Sequence, residues 1–147
     1  MLQLGNNLVE EIKNLARKSY PCECGGFLAG KSGPPKEVSG IYPLENQNKS
    51  TPRVRFEIDP VEFKTVEDQA TKDGLELLVF YHSHPDHPAM PSDFDTERAA
   101  GLAPFWPELY YLIVSVAGTR DSEFFEFSCW VFHGDSGNFE KEEVALV

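Results

Sequence analysis

Three segments carry the signals of helices, either apolar residues at three- and four-residue spacing or a capping residue ahead of helix-forming residues. They are residues 7–19, residues 60–73 and the short segment SDFDTERAAGL that begins at Ser92. In the first segment, Asn7 and Glu10 stand at the separation of a capping box, and Pro21 prevents the helix from continuing. In the second, Asp59 precedes Pro60 at the first helical position, which favours a helix start there.

Six further segments are short and apolar, or alternate between apolar and polar residues as strands do. They are residues 25–30, 38–44, 53–58, 75–81, 109–117 and 123–132. The runs over 75–81 and 109–117 are apolar nearly throughout, which is typical of strands covered on both faces. Elsewhere we expect a polar loop over 45–52 that is mobile or binds something, and a turn over 118–122. Residues 138–147 are expected to form an edge strand or a frayed tail.

Helices that interleave with these strands indicate the α/β (α+β) class, with a mixed sheet flanked by helices. The chain has 147 residues, about one domain's worth, and we predict a single domain over residues 1–147. With 41% hydrophobic and 25% charged residues, its composition is that of a globular protein rather than a disordered one.

The charge balance bears on partners and location. Lys and Arg number 13 against 24 Asp and Glu, a net charge of -11, and we therefore predict no nucleic-acid partner. The longest apolar run, residues 109–117, is far shorter than the ~20 residues that cross a bilayer, and the N-terminal stretch MLQLGNNLVEEIK carries acids where a signal peptide carries bases. We expect no membrane association and a cytoplasmic location. The acidity itself fits either a salt-loving source or a basic partner surface.

The three cysteines, Cys22, Cys24 and Cys129, cannot all pair, and the single residue between the first two strains a disulfide. A reducing compartment fits this pattern better. A zinc knuckle needs two residues between its cysteines and a second pair elsewhere, which the chain lacks. In an extended segment Cys22 and Cys24 would point away from the face that Glu23 presents, and we interpret them as packing residues rather than nucleophiles.

The richest chemistry lies in the stretch YHSHPDHPAMPSDFD, directly after the apolar strand over 75–81. Side chains alternate along an extended segment, so His82 and His84 project to the same side and can hold one ion. Asp95 follows eleven residues later at the start of a helix, and the proline-rich loop can fold its carboxylate back beside the imidazoles. Two histidines and one carboxylate leave a fourth tetrahedral position open, as in catalytic zinc sites, where the pKa of bound water falls to roughly 7.

Plainer interpretations of the same residues stay open at this point. A single His-x-His is common by chance, and Ser92 with Asp95 also matches an ordinary helix capping box. His87 is out of phase with the histidine pair, and we interpret it as a loop residue near the mouth of the site. We assign no role to His133.

Taken together, these residues resemble the metal signature of the JAMM (MPN-plus) metalloproteases. The chain has His82-Ser83-His84-Pro85, six residues, Ser92, two residues and then Asp95, which matches that signature at every position. Upstream, the segment Pro21-Cys22-Glu23-Cys24-Gly25-Gly26-Phe27-Leu28 is similar to the family's Pro-x-Glu-x-x-Gly-x-Leu context. The resemblance covers roughly residues 5 to 133 and implies a curved mixed sheet flanked by helices, the cytidine-deaminase-like JAMM/MPN fold.

The resemblance also implies roles for five residues. His82, His84 and Asp95 would hold one zinc ion per chain, while Glu23 would take a proton from water and return it to the leaving amine. Ser92 would donate a hydrogen bond to the oxyanion that forms during hydrolysis.

JAMM enzymes attack peptide or isopeptide bonds at the C-terminus of ubiquitin or ubiquitin-like proteins. The chain has only a short connection over 101–108 and no second Cys/His cluster, so it resembles the stand-alone bacterial members linked to sulfur-carrier proteins of the ThiS/MoaD type. This implies a zinc-dependent metallopeptidase that cleaves at or after the C-terminal Gly-Gly of such a carrier, whose extended tail adds to a sheet edge. The alternatives are a non-catalytic MPN-type scaffold, and a zinc peptidase or amidase that acts on another substrate, such as phage or cell-wall proteins.

Overall fold

A computed structural model of the chain describes residues 1–117 and 124–147, and its strands form one eight-stranded sheet. The helices are α1 (Asn6–Ser19), α2 (Pro60–Lys72) and α3 (Asp93–Leu102). The strands are β1 (Leu2–Leu4), β2 (Gly25–Lys31), β3 (Lys36–Leu44), β4 (Glu76–Pro85), β5 (Tyr110–Ala117), β6 (Phe124–His133), β7 (Asn138–Glu142) and β8 (Val144–Leu146).

The sheet runs in the order β7-β6-β5-β4-β2-β3-β1-β8 and contains both kinds of pairing. The β4–β5, β1–β3 and β1–β8 pairs are parallel, and the remaining neighbours are antiparallel. The predicted architecture, a curved mixed sheet flanked by helices, is confirmed. β4 lies between β2 and β5, so the strand that carries the two histidines is fixed from both sides.

The sheet is covered on both faces, and consecutive residues of β4 pack in two different hydrophobic clusters. Val79 packs in the cluster that α1 covers, together with residues such as Ile12. Phe80 packs in the second cluster, with Phe63 of α2 and Ala99 of α3. Because side chains two residues apart share one face of a strand, the histidines at 82 and 84 lie on the face covered by α2 and α3.

The predicted strand over residues 53–58 is wrong. The chain makes a turn over 52–54 and continues without regular structure to residue 59. The alternation that suggested a strand is real, since Phe56 is fully buried between two exposed residues. Two carbonyls of this segment are hydrogen bonded to side chains instead of a neighbouring strand. The carbonyl of Arg55 accepts from Asn46, and that of Phe56 accepts from Arg98.

The other predicted helices and strands are present, with bounds shifted by one to four residues. β1 was not predicted, because it has only three residues and forms by pairing with β3 and β8. Residues 138–146 form β7 and β8 at opposite edges of the sheet. The predicted capping box of Asn7 and Glu10 is wrong, because α1 begins at Asn6 with Gly5 as its cap.

The turn predicted over residues 118–122 lies outside the described residues. Within the described part of the chain, no helix is long and apolar enough to cross a membrane.

Candidate active site

Three side chains from two elements converge on one buried point. His82 and His84 extend from the end of β4, and Asp95 lies in the first turn of α3. The Nε2 atoms of the two histidines are 3.0 Å apart, and they lie 3.0 and 3.1 Å from the Oδ1 and Oδ2 atoms of Asp95 respectively. All three residues are buried. The structure therefore brings together the three metal ligands expected from the sequence.

The geometry of this cluster fits one metal ion. Ligand atoms about 2.0–2.1 Å from a tetrahedrally coordinated ion lie roughly 3.3 Å from one another, close to the separations found here. Two imidazole nitrogens and a carboxylate oxygen are a donor set that Zn²⁺ takes in catalytic sites. His82, His84 and Asp95 thus form a candidate metal site.

The protonation states of His82 and Asp95 suit a cation. Burial lowers the pKa of His82 to about 4, which leaves its imidazole neutral near pH 7. Burial lowers the pKa of His84 as well, but hydrogen bonds to Asp95 and to the carbonyl of Pro88 outweigh this effect and raise it. Burial raises the pKa of Asp95, yet the interaction with His82 and hydrogen bonds from both histidines hold that pKa well below its ordinary range.

The loop between β4 and α3 fixes the orientation of His84. Its Nδ1 atom donates to the carbonyl of Pro88 at 2.9 Å, so Nε2, which faces His82 and Asp95, is the ring nitrogen left to bind an ion once it loses its proton. The carbonyls on either side of Pro88 are also occupied, that of residue 87 by the hydroxyl of Ser115 and that of Ala89 by the hydroxyl of Ser128. Hydroxyls on β5 and β6 thus fix the loop whose Pro88 carbonyl orients His84.

Ser92 and Asp95 form the capping box that was the plainer interpretation of their spacing. The Ser92 hydroxyl oxygen accepts from the backbone N–H of Asp95 at 3.1 Å, and the Ser92 N–H donates to Asp95 Oδ2 at 2.9 Å. The cap and the candidate metal site are therefore one arrangement, because the cap aims the carboxylate at the histidines. The Ser92 hydroxyl accepts in this bond and retains its own proton for donation.

Glu23 lies where α1 gives way to β2, and its side chain lines the same cleft as His84 and Ser92. It is only 5% exposed, and its Oε1 atom finds no hydrogen-bond partner among the described residues. Burial raises the pKa of Glu23 to about 8. A buried carboxyl group with a free oxygen beside a cation site is poised to exchange a proton near neutral pH.

The cleft has a volume of about 360 Å³ and opens beside the cluster. It is lined by Glu23, Val54, His84, His87, Pro88, Met90 and Ser92. His87 is exposed at the mouth and is not a member of the ligand cluster, as expected because it is out of phase with the alternation of His82 and His84. His133 forms an exposed pair with Glu140 on β7.

Cys22 and Cys24 on either side of Glu23 are free, as is Cys129. Cys24 packs against the core under α1, and burial raises its pKa, which disfavours the thiolate that a nucleophile needs. Cys22 is half-buried in the turn after α1, where its N–H donates to the carbonyl of Ser19. Packing is therefore established for Cys24 and stays a prediction for Cys22.

Two groups that support the site escaped the sequence analysis. Asn46 donates to backbone carbonyls of Glu23, Pro52 and Arg55, and thereby organises the polar loop that we expected to be mobile or to bind something. Arg98 contacts Asp95 from the next turn of α3. Its spacing of three residues from Asp95 was the available signal.

The fold and the candidate metal site together define the class of JAMM-type metalloprotease domains, which the sequence signature resembles. The model of the prokaryotic homologs of the JAB domain matches residues 5–131, and the chain belongs to this family.

Two curated relatives are similar over most of their length. A protein named Desampylase from Haloferax volcanii is 38% identical over 113 residues, which are 77% of this chain and 76% of the relative. A protein named Probable TtuB-protein conjugate cleaving protease from Thermus thermophilus is 32% identical over 120 residues, 82% of this chain and 74% of the relative.

A solved structure shares the whole fold. The solution structure of a protein from Desulfitobacterium hafniense superimposes with a TM-score of 0.80 at 31% identity, and the match covers 100% of this chain and 93% of that one.

Proposed function

We propose that the protein is a zinc-dependent metallopeptidase that hydrolyses a peptide or isopeptide bond at or after the C-terminal Gly-Gly of a ubiquitin-like sulfur-carrier protein. The observation that carries this proposal is the shared cleft. His84, which belongs to the buried cluster with His82 and Asp95, lines one opening together with Glu23 and Ser92.

His82, His84 and Asp95 would hold the zinc ion. When bound, zinc would supply Lewis-acid activation of a water molecule and of the scissile carbonyl. The neutral imidazole of His82 and the ionised carboxylate of Asp95 bind a cation without first losing protons at neutral pH.

Glu23 would move the proton. Its free Oε1 atom accepts a proton from the attacking water, and the same carboxyl group then delivers it to the nitrogen of the leaving amine. A pKa raised towards neutral by burial suits a group that must both gain and lose a proton in one turnover. A bound cation would lower that pKa and favour the ionised form that begins the cycle.

Ser92 would stabilise the charge that develops on the carbonyl oxygen. Its hydroxyl is held at the edge of the cleft by the bond from the Asp95 N–H, so its proton is free to donate to a substrate oxygen. Preorganised donors of this kind are effective because they need no rearrangement in the transition state.

The names of the relatives support the choice of substrate. One is called a desampylase and the other a protease that cleaves TtuB-protein conjugates. A cleft of about 360 Å³ suits an extended tail that ends in two glycines better than a folded surface. We place the reaction in the cytoplasm, because all three cysteines are free.

The test is mass spectrometry of zinc-loaded protein incubated with two substrates built on a ubiquitin-like carrier. One carries a peptide fused after Gly-Gly, and the other carries a lysine side chain joined to the terminal glycine. We expect release of the carrier ending in Gly-Gly from at least one of them, and no release by Glu23→Gln or from a carrier ending in Ala-Ala. Equal cleavage of the Gly-Gly and Ala-Ala carriers would refute the assigned specificity, and cleavage by metal-free protein would refute the mechanism.

A further inference from the structure

Arg98 is a buried charge beside the candidate metal site. Its side chain is 9% exposed, and Nη1 lies 3.3 Å from Oδ1 of Asp95. Nη2 donates to the backbone carbonyl of Phe56 at 2.6 Å. Burying a guanidinium group is costly unless it is paired and hydrogen bonded, so a side chain placed here is held by specific contacts.

Two aromatic rings pack against this guanidinium group. Its Cζ atom lies 4.8 Å from the ring centroid of Phe80 and 5.1 Å from that of Phe94. The ring of Phe80 in turn stacks on His82, with 5.5 Å between the ring centroids. Arg98 thus contacts one metal ligand directly and a second one through Phe80.

The bond to Phe56 links the metal side of the cleft to the other side. Phe56 belongs to the irregular segment over residues 45–59, and the carbonyl of Pro52 in this segment accepts from the N–H of Glu23 at 2.8 Å. The carbonyl of Glu23 accepts from Asn46 of the same segment. One guanidinium group therefore joins the carboxylate of Asp95 to the segment that holds Glu23.

We infer that Arg98 is a positioning residue that orients the carboxylate of Asp95 for metal binding and ties it to the segment whose hydrogen bonds hold Glu23. This inference rests on the metal site of the proposed function. The planar fork of arginine reaches two oxygens in different directions, whereas the ammonium of lysine is a point charge on a flexible stem. Simple repulsion would have the opposite effect, because removing a positive charge near a cation strengthens binding. A positioning role therefore predicts weaker metal binding when Arg98 is replaced, whereas simple repulsion predicts tighter binding.

The experiment titrates Co²⁺ into metal-free protein and follows the visible absorption of the bound ion. Arg98→Met should bind Co²⁺ roughly 10- to 100-fold more weakly than the wild type, the usual cost of losing a partner of a metal ligand, and Arg98→Lys should fall between them. Both variants should also change the shape of the absorption band, which reports coordination geometry. Arg55→Met is the matched control, because Arg55 lies 4.9 Å from the same Phe94 ring but is exposed. Its Co²⁺ affinity should equal that of the wild type.

The outcomes separate the inference from the proposed function. A wild type that binds neither Co²⁺ nor Zn²⁺ refutes the metal site itself. A wild type that binds Co²⁺ while Arg98→Met binds it equally or more tightly overturns the positioning role, even if that variant melts at a lower temperature. Should Arg98→Met fail to fold, Arg98→Lys decides, and a Co²⁺ affinity and spectrum equal to those of the wild type overturn the inference.

Discussion

The two walls of the cleft are built by different means. On the metal wall, His82 and His84 extend from a central strand and Asp95 from the first turn of a helix, so backbone ladders and a helix cap set their positions. On the opposite wall, Glu23 lies between elements and is held by the irregular segment over residues 45–59, through a backbone bond to Pro52 and a bond from the side chain of Asn46. Regular structure fixes the metal ligands, whereas a few individual hydrogen bonds fix the proton-carrying group.

This contrast predicts that substitutions in the two walls affect different properties of the protein. Substitutions on the metal wall should remove the ion and all activity together. Substitutions on the opposite wall should leave the ion in place and change the rate or the pH dependence.

The largest effect is expected on the metal wall. Replacing His82 and His84 together by Ala should abolish stoichiometric zinc and with it all hydrolysis, because a single carboxylate cannot hold the ion in this donor set. Metal analysis after zinc loading and dialysis checks this, with His133→Ala as the control for an exposed histidine outside the cluster. Unchanged zinc content in the double variant would show that the site is elsewhere.

Glu23→Gln should remove only the function of the opposite wall, which is proton transfer. The amide keeps the shape of the side chain but cannot accept the proton of water, so we expect full zinc content and a rate about 10²- to 10⁴-fold lower. Parallel metal analysis and single-turnover kinetics measure the two quantities. Wild-type turnover with retained zinc would eliminate Glu23 as the base.

Ser92 has two roles on the metal wall, since it caps α3 and lines the cleft. Ser92→Ala should lower the rate by about 10²- to 10³-fold if the hydroxyl stabilises the oxyanion, and should cost roughly 1 kcal/mol of stability as a lost cap. Ser92→Gly separates the two roles, because glycine caps a helix nearly as well. We expect it to restore stability without restoring the rate, and a restored rate would favour the capping role alone.

The stability of the metal-free protein should depend on the ionisation of Glu23, on the wall opposite the metal site. The pKa of Glu23 is raised from its ordinary value to about 8, so the metal-free fold is favoured by the protonated form. Relative to Glu23→Gln, metal-free wild type should keep its full stability below about pH 4.5, lose on the order of a few kcal/mol as the pH rises from there to about 8, and change little above that pH. Urea unfolding of both proteins between pH 5 and 9 tests this, and parallel curves would show that the pKa is not raised.

The smallest effect is expected at Cys22 and Cys24, beside Glu23 on the second wall. Replacing both by Ser should leave zinc content and rate nearly unchanged and lower stability by roughly one or two kcal/mol, since Cys24 packs against the core. Thermal unfolding and kinetics of the zinc-loaded variant measure this. A folded, zinc-loaded variant without activity, or a thioester trapped with substrate, would point to cysteine catalysis instead.

The sequence predicted the metal wall more completely than the other wall, for a physical reason. The spacing of His82, His84 and Asp95 depends on strand alternation and on a helix cap, and both are local rules that can be read along the chain. The position of Glu23 came from its resemblance to a family context, because a lone carboxylate after a helix is otherwise a surface residue.

The sequence alone therefore determined the order of the main elements, the two-sided burial of β4 and the candidate ligands, because each follows from local periodicity and capping. Only the tertiary structure decided that residues 53–58 are not a strand, that β1 and β8 pair at one edge, and that Arg98 and Asn46 support the site. These features depend on contacts between residues far apart in the chain, such as the bond of Arg98 to Phe56. The pattern around Phe56 alternates as a strand does, but the side chains of Asn46 in the same irregular segment and of Arg98 in α3 took the place of a neighbouring strand.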